Sequence, residues 1–549
     1  LLRGVALGAV ISLSAGAVAH ANAPHKKSHR ATPAASQAQV AALIDEVQAL
    51  KANLAAETAA RQQLQSQVDQ ATAQVAASRA QVQTAEARAA EAQAAVIKTI
   101  PADVAIEVAK VKPKTDGLYF RGVKITPGGF LEAAEVYREH NTANDISTGL
   151  NTIPYPVTRQ GHTQELLFTP RQSRVSALVE GKPTDDITLS MYGEFDFQGA
   201  AQSANSNETN SYNPRIRHLY GTIDWGSLGL HFLAGQTFSL VTLDSKGITP
   251  RNEVTPLTID GQYHVGFTWA RQPMVRLTKD LFDKHLWISV SAENPQTTFT
   301  GSVPAGVIDN INNGQGYYAG ETNTGVAATQ SLNHLPDFVG KIAIEEDLGG
   351  HHVHAEVLGL ERSFYEQLAT LQNKTLNTGA LGAGLTVQVI PGWFDFQASG
   401  LTGKGIGRYG SGQLPDVTFN TNGVIEPIEE TIVLVGGTVH ATKSLDLWAF
   451  AGEEHDNRAS YGSIGYGNPV FVNTGCNIEA SALTCTGNTK LLGEASAGFW
   501  QKFYQGPWGQ IRFGLQYSYI ERDAFAGVGG APIAHENMLY TSFRYYPFQ

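Results

Sequence analysis

From about residue 118 onward the chain breaks into short segments that alternate apolar and polar side chains, and the links between them alternate too. Links of a few residues take turns with links of roughly ten to forty. Tight Gly/Pro/Asn/Asp-type or charged turns near 182–186, 226–229, 280–284, 347–350, 391–393, 441–444 and 505–508 mark seven hairpins. An opening strand around Gly129–Arg138 and a closing one around Leu539–Phe548 bring the count to sixteen. Short turns on one side and long loops on the other are the signature of a transmembrane β-barrel, and an even count puts both ends of the barrel on the periplasmic side. Eighteen strands is the alternative, with Leu118–Ile125 as a further strand and Gln262–Lys279 split in two.

Side-chain chemistry favours lipid over water outside this sheet. Ile187, Leu189, Met191, Phe195 and Phe197 share one face, and Thr188, Ser190, Tyr192, Glu194, Asp196 and Gln198 the other. Ile511, Phe513, Leu515, Tyr517 and Tyr519 oppose Gln510, Arg512, Gln516 and Ser518 in the same way. A period of two sends such sets to opposite sides of a sheet. A soluble β-sandwich also alternates, but it needs no systematic loop asymmetry. Only 16% of the residues are charged, while 56 glycines and 9% aromatics suit a barrel with interfacial girdles. After the first twenty or so residues no run approaches the ~18 apolar positions of a spanning helix, so membrane residence would rest on strands.

Upstream, Arg3, the apolar run Gly4–Val18 and the small-x-small Ala19-His20-Ala21 read as a signal peptide cleaved after Ala21, residues 1–21. Residues 22–35 are basic and Pro-containing. Residues 36–97 contain no Gly or Pro and place Val40, Leu43, Val47, Leu50, Leu54, Leu64 and Val68 on a frame of alternating spacings of three and four that continues to Val96, with Glu57, Arg61 and Ser78 as its exceptions. Sustained a/d occupancy predicts a periplasmic coiled coil about 90 Å long. A linker at 98–117 leads into the barrel domain, 118–549. A coiled coil joined to a porin-sized barrel implies assembly, and a homotrimer is expected. Cys476 and Cys485 lie in one long loop, which in an oxidising compartment predicts a local disulfide.

Four segments carry a family resemblance: Pro170-Arg171-Gln172-Ser173-Arg174, Tyr192-Gly193-Glu194-Phe195-Asp196-Phe197, Arg215-Ile216-Arg217-His218-Leu219-Tyr220-Gly221 and Leu233-Ala234-Gly235-Gln236-Thr237-Phe238. They resemble successive early strands of the DcaP-like outer-membrane porins, best over residues 129–240. The resemblance implies a trimeric barrel that passes small anionic solutes, dicarboxylic acids in the best-known members, through an arginine-lined pore. The layout is broadly similar to phosphate-selective porins as well. The C-terminus departs from the family pattern, because Pro547 and Gln549 flank Phe548 where a terminal aromatic is usual.

Net charge alone points the other way. The first 114 residues hold 12 of the 39 basic and 8 of the 50 acidic side chains, which leaves 27 against 42. A constriction senses local charge more than distant acidic loops. Arg171, Arg174, Arg215, Arg217, Arg276 and Arg512 are therefore the candidate pore-lining, anion-binding residues, with Lys341 and Arg544 as further lumen cations. Guanidinium groups suit carboxylate or phosphate. Each could equally be neutralised by Glu194, Asp196 or Glu345, which would leave the pore open but unselective. The long link near Leu240–Gly261, with Lys246 and Arg251, is either an inward-folding constriction loop or a surface loop.

Same-face carboxylates such as Glu194 and Asp196 recur in any polar lumen, so no enzyme is expected. His351, His352 and His354 are expected to be incidentally exposed at a periplasmic turn, with no metal or cofactor. The acidic balance argues against nucleic acid. The expected function is an outer-membrane porin for passive uptake of small organic anions. The alternative is a general or structural porin whose coiled coil contacts peptidoglycan and links the outer membrane to the cell wall.

Overall fold

The computed structural model describes residues 117–202, 212–301, 331, 333–368 and 372–549, with isolated positions 48, 51, 62 and 84. Those four positions aside, the expected signal peptide and coiled coil lie outside the described residues, as does the linker up to residue 116. The chain divides into two compact units, residues 1–113 and 114–549, and among the described residues every strand belongs to the second.

Sixteen antiparallel strands close into a barrel. The first are β1 (Val123–Arg138), β2 (Glu165–Thr169 continued by Arg174–Gly181), β3 (Ile187–Gln202), β4 (Tyr212–Trp225), β5 (Leu230–Phe238) and β6 (Arg271–Leu281). Then come β7 (Leu286–Glu293), β8 (Asp337–Leu348), β9 (His351–Gln367), β10 (Asn373–Ile390) and β11 (Phe394–Lys404). The wall is completed by β12 (Glu429–His440), β13 (Leu445–Asp456), β14 (Thr489–Gly506), β15 (Gly509–Ala524) and β16 (Ile533–Tyr546). Each strand pairs with the next, and β16 closes on β1 from Leu131↔Tyr545 to Arg138↔Met538. Closure leaves no unpaired edge, which hydrocarbon requires.

The seven short turns fall where the sequence placed them, two of them trimmed to 349–350 and 507–508 and one shifted to 282–285. One connection on the long-loop side, 368–372, is as short as a turn. Leu118–Phe120 only folds back on Val123–Ile125, and Arg271–Leu281 is one uninterrupted strand, so neither proposed extra strand joins the wall. The closing strand begins earlier than expected, at Ile533, and pairs along both neighbours despite Pro547. Proline explains the break in β2. Pro170 has no N–H to donate to the ladder, and the strand resumes at Arg174 opposite Phe130.

Burial inverts the pattern of a water-soluble protein. Leu189, Met191 and Phe195 are exposed on the outer wall while Asp196 is buried inside. Outward side chains elsewhere include Val275, Leu277, Val290, Ile342, Val433 and Phe543, a surface suited to hydrocarbon. The interior is filled by long connections. Ile146, Leu150 and Ile153 of 139–164, Ile259, Val265 and Phe267 of 239–270, and Leu414 of 405–428 join one internal apolar cluster with Trp448 and Trp500.

Candidate permeation site

The connection 239–270 runs inside the barrel because the wall supplies partners for its backbone, which a buried loop needs. Lys341 of β8 donates to the Thr242 carbonyl (2.6 Å) and is clasped by Asp244 (3.1 Å) and Glu356 (2.8 Å). Gly247 N–H donates to Glu345 (2.6 Å). Farther along, Trp500 Nε1 donates to the Leu257 carbonyl (2.9 Å), and Asp260 accepts from Thr148 N–H (3.1 Å) and Tyr540 Oη (2.7 Å). Val265 and Gly266 N–H donate to Glu494 and Glu454, 2.9 Å each. The approach to β13 is so close that a Cβ on Gly452 would collide with the Val265 carbonyl.

Between this loop and the wall lies a cavity of about 370 Å³. Arg174 and Glu194, Arg217, Arg512 and Arg544 line it from the strands, and Asp260 and Tyr263 from the loop. Arg217 is buried, with Nε on Glu194 (2.6 Å), Nη1 on Asp196 (3.2 Å) and Nη2 on Tyr263 Oη (3.1 Å). Arg215 forks onto Asp196 at 3.0 and 2.6 Å. Arg174 reaches Glu194 more loosely, at 3.7 Å, and lies over the Phe130 ring. Arg544 pairs with Glu132 (2.7 Å). Arg512 has no carboxylate partner among the described residues and stacks over Trp500 (4.2 Å) and Tyr546 (4.6 Å).

Two sequence candidates sit elsewhere. Arg171 braces the break in β2, donating to the Phe197 and Gly199 carbonyls (3.1 and 2.9 Å) and pairing with Asp145 (3.4 Å). Arg276 is buried behind the loop and donates to the Phe238 carbonyl (2.6 Å). In the loop itself, Lys246 is exposed and Arg251 lies over the Tyr192 ring (5.7 Å). Glu345 neutralises none of the cavity arginines, since it holds Gly247 and faces His352. Of the three histidines, His354 is not exposed. It is fully buried, because its strand position faces the lumen, and its Nε2 lies 3.1 Å from Glu356. No metal-binding group of three or more His, Cys, Asp or Glu forms among the described residues. Cys476 and Cys485 are joined, with Cα atoms 4.7 Å apart.

Arg271 was missed. It shares the strand parity of outward Val275 and Leu277, yet its guanidinium stacks over Trp269 (5.0 Å) and Phe238 (5.5 Å). Trp269 in turn packs on Tyr263 (5.2 Å). Only the Trp269-Ala270-Arg271 adjacency hinted at this. The charge shows at Tyr263: burial alone would raise its phenol, but Arg217, Arg271 and Arg174 outweigh burial and pull it down to about 8. Among the side chains lining the cavity, arginines 174, 217, 512 and 544 face carboxylates 194 and 260, and four cations against two anions leave an excess of two positive charges.

No family model matches the chain, and no curated protein does. Among solved structures it is similar to the outer membrane channel DcaP of Acinetobacter baumannii, at 19% identity and TM-score 0.54, over 78% of this chain and 99% of that one. The chain has the fold of an outer-membrane channel. More distant likenesses include OmpT, an outer membrane protein of Vibrio cholerae (11% identity, TM-score 0.41, 79% of this chain and 100% of that one), and an anion-selective porin from Comamonas acidovorans (9%, 0.42, 77% and 99%).

Proposed function

We propose that the protein is an outer-membrane porin that admits small organic anions, dicarboxylates among them, by passive diffusion, and that it works as a homotrimer. The observation that carries this reading is the cavity of about 370 Å³ beside the inward loop, with its excess of two arginine charges. An anion entering it gains favourable potential from guanidinium groups held in place by aromatic rings and strand backbone, and a cation meets the same groups as a barrier. Arg512 is the cavity residue most available to a solute carboxylate, because no carboxylate among the described residues occupies it. Arg174 and Arg217 line the same cavity, their charge partly balanced by Glu194. The acidic balance of the whole domain does not oppose this, since charges beyond a Debye length of about 8 Å are screened at physiological salt. The test is the reversal potential of the purified protein in planar bilayers across a KCl gradient. Anion preference is expected, and cation preference would overturn the reading in favour of a general porin.

A further inference from the structure

At the long-loop end of β12 and β13 two carboxyl groups meet inside the barrel. Glu430 and Asp456 are partners in the ladder, and both point inward along with Ile432 and Glu454. Glu430 is 1% exposed and Asp456 is fully buried. All four of their carboxyl oxygens lack a hydrogen-bond partner among the described residues. The surroundings add negative charge rather than positive. Glu454 and Asp416 both act on the pair, yet each is satisfied elsewhere, Asp416 by Arg362 (2.7 Å) and Glu454 by the N–H groups of Gly266 and Gly412 (2.9 Å each). Tyr466 stands beside Asp456 but donates its proton to the Thr489 carbonyl (2.5 Å). Its ring joins Ile428, Ala459 and Phe525 in a buried apolar cluster.

Two carboxylates buried together lose their hydration and repel each other, so the pair needs a proton or a cation. One shared proton engages two of the four oxygens and leaves a negative charge in apolar surroundings. A hard divalent cation engages all four and neutralises both groups. We propose that Glu430 and Asp456 form a calcium site that ties together the roots of two long loops. Two carboxylates fall short of the closed set of four ligands, nitrogen or sulfur by preference, that holds structural zinc. Magnesium demands octahedral geometry and keeps several waters, whereas calcium accepts carboxylates through both oxygens and fills its other positions with water or backbone carbonyls. Glu430 follows the connection 405–428 by two residues, and Asp456 is the last strand residue before 457–488, so the ion fixes both loops to the barrel rim. The dissociation constant should lie near the ~10⁻⁴–10⁻³ M of extracellular calcium modules. Neither residue lines the arginine cavity, so the site is independent of ion selectivity.

The test titrates terbium, a luminescent stand-in for calcium, into the purified full chain after treatment with a chelator. Tyrosine excitation should give a saturable emission, sensitised by Tyr466, that excess calcium displaces and that is lost in the double variant Glu430→Gln, Asp456→Asn. Should that variant not fold, Asp456→Asn alone takes its place and should weaken calcium binding about tenfold or more. Thermal melting of the wild-type protein needs no variant. Calcium at ten times its dissociation constant should shift the unfolding equilibrium about 11-fold toward the folded state, and a chelator should reverse the shift. Emission that survives unchanged in the variant puts terbium on other carboxylates and overturns the proposal. A melting temperature that ignores calcium and rises as pH falls overturns it too, and assigns the pair to a shared proton.

Discussion

Arg512→Gln isolates the unpaired charge of the cavity. The glutamine keeps a polar side chain near Trp500 and removes one of the two excess positive charges without stranding a carboxylate, because Arg512 has none as a partner among the described residues. For a monovalent anion about 6 Å from the guanidinium, Coulomb attraction is about 0.7 kcal/mol at the permittivity of water and about 2.8 kcal/mol at an effective value of 20. Since ~1.4 kcal/mol is tenfold in an equilibrium constant, anion occupancy should fall between about 3-fold and about 100-fold. The lower end applies if the pore is well hydrated. A dicarboxylate should lose roughly twice as much free energy as chloride. The assay is the anion-to-cation permeability ratio from bilayer reversal potentials, with liposome swelling in succinate as a second readout. Arg276→Gln is the control. Its guanidinium is bound to the Phe238 carbonyl outside the cavity, so it should cost about 1–3 kcal/mol of stability and leave selectivity unchanged. The reasoning is refuted if Arg276→Gln shifts the reversal potential and Arg512→Gln does not.

Lys341→Met should unlatch the inward loop. It leaves Asp244 and Glu356 buried without their cation, a loss of about 3–5 kcal/mol, and single-channel conductance and the size limit in swelling assays should both rise. An unchanged conductance would show that the remaining wall bonds hold the loop alone. The Tyr263 phenol, at about 8 in the folded protein against about 10 for a free tyrosine, gives a pH dependence of definite sign. Raising pH from 6 to 9.5 adds a negative charge beside Arg217, so anion preference should decline with a midpoint near 8, and Tyr263→Phe should abolish the decline. Because the folded value is the depressed one, the same ionisation stabilises the loop increasingly as pH rises from about 8 to about 10, and that stabilisation is lost as pH falls through about 8.

Much of the barrel was legible in the linear chain. Strand count and turn positions follow from a period of two and from turn chemistry, both local, and each strand is confirmed by its neighbours in sequence. The paired carboxylates Glu194 and Asp196 were visible as possible neutralisers because they lie on the same face as the arginines that face them across one ladder. The ends of strands were less legible. β16 runs up to Ile533 because Asp523 and Arg522 on β15 offer it partners, and nothing within residues 533–538 announces that.

What only the tertiary structure decided is which lumen charges meet. Strand parity places Arg174, Arg217, Arg276 and Arg512 alike on the inner face, and it cannot say that 239–270 buries Arg276 behind the loop while leaving Arg512 on the cavity. Parity also misplaces Arg271, whose guanidinium is captured by the Trp269 and Phe238 rings at the strand's first residue. The path of the inward loop is held by bonds to β8, β13, β14 and β16, strands that lie up to about 280 residues away in sequence. Local sequence specifies a closed sheet because ladder pairing joins adjacent segments. The charge of the cavity depends on loop-to-wall contacts across the barrel, and those exist only once the ring has closed.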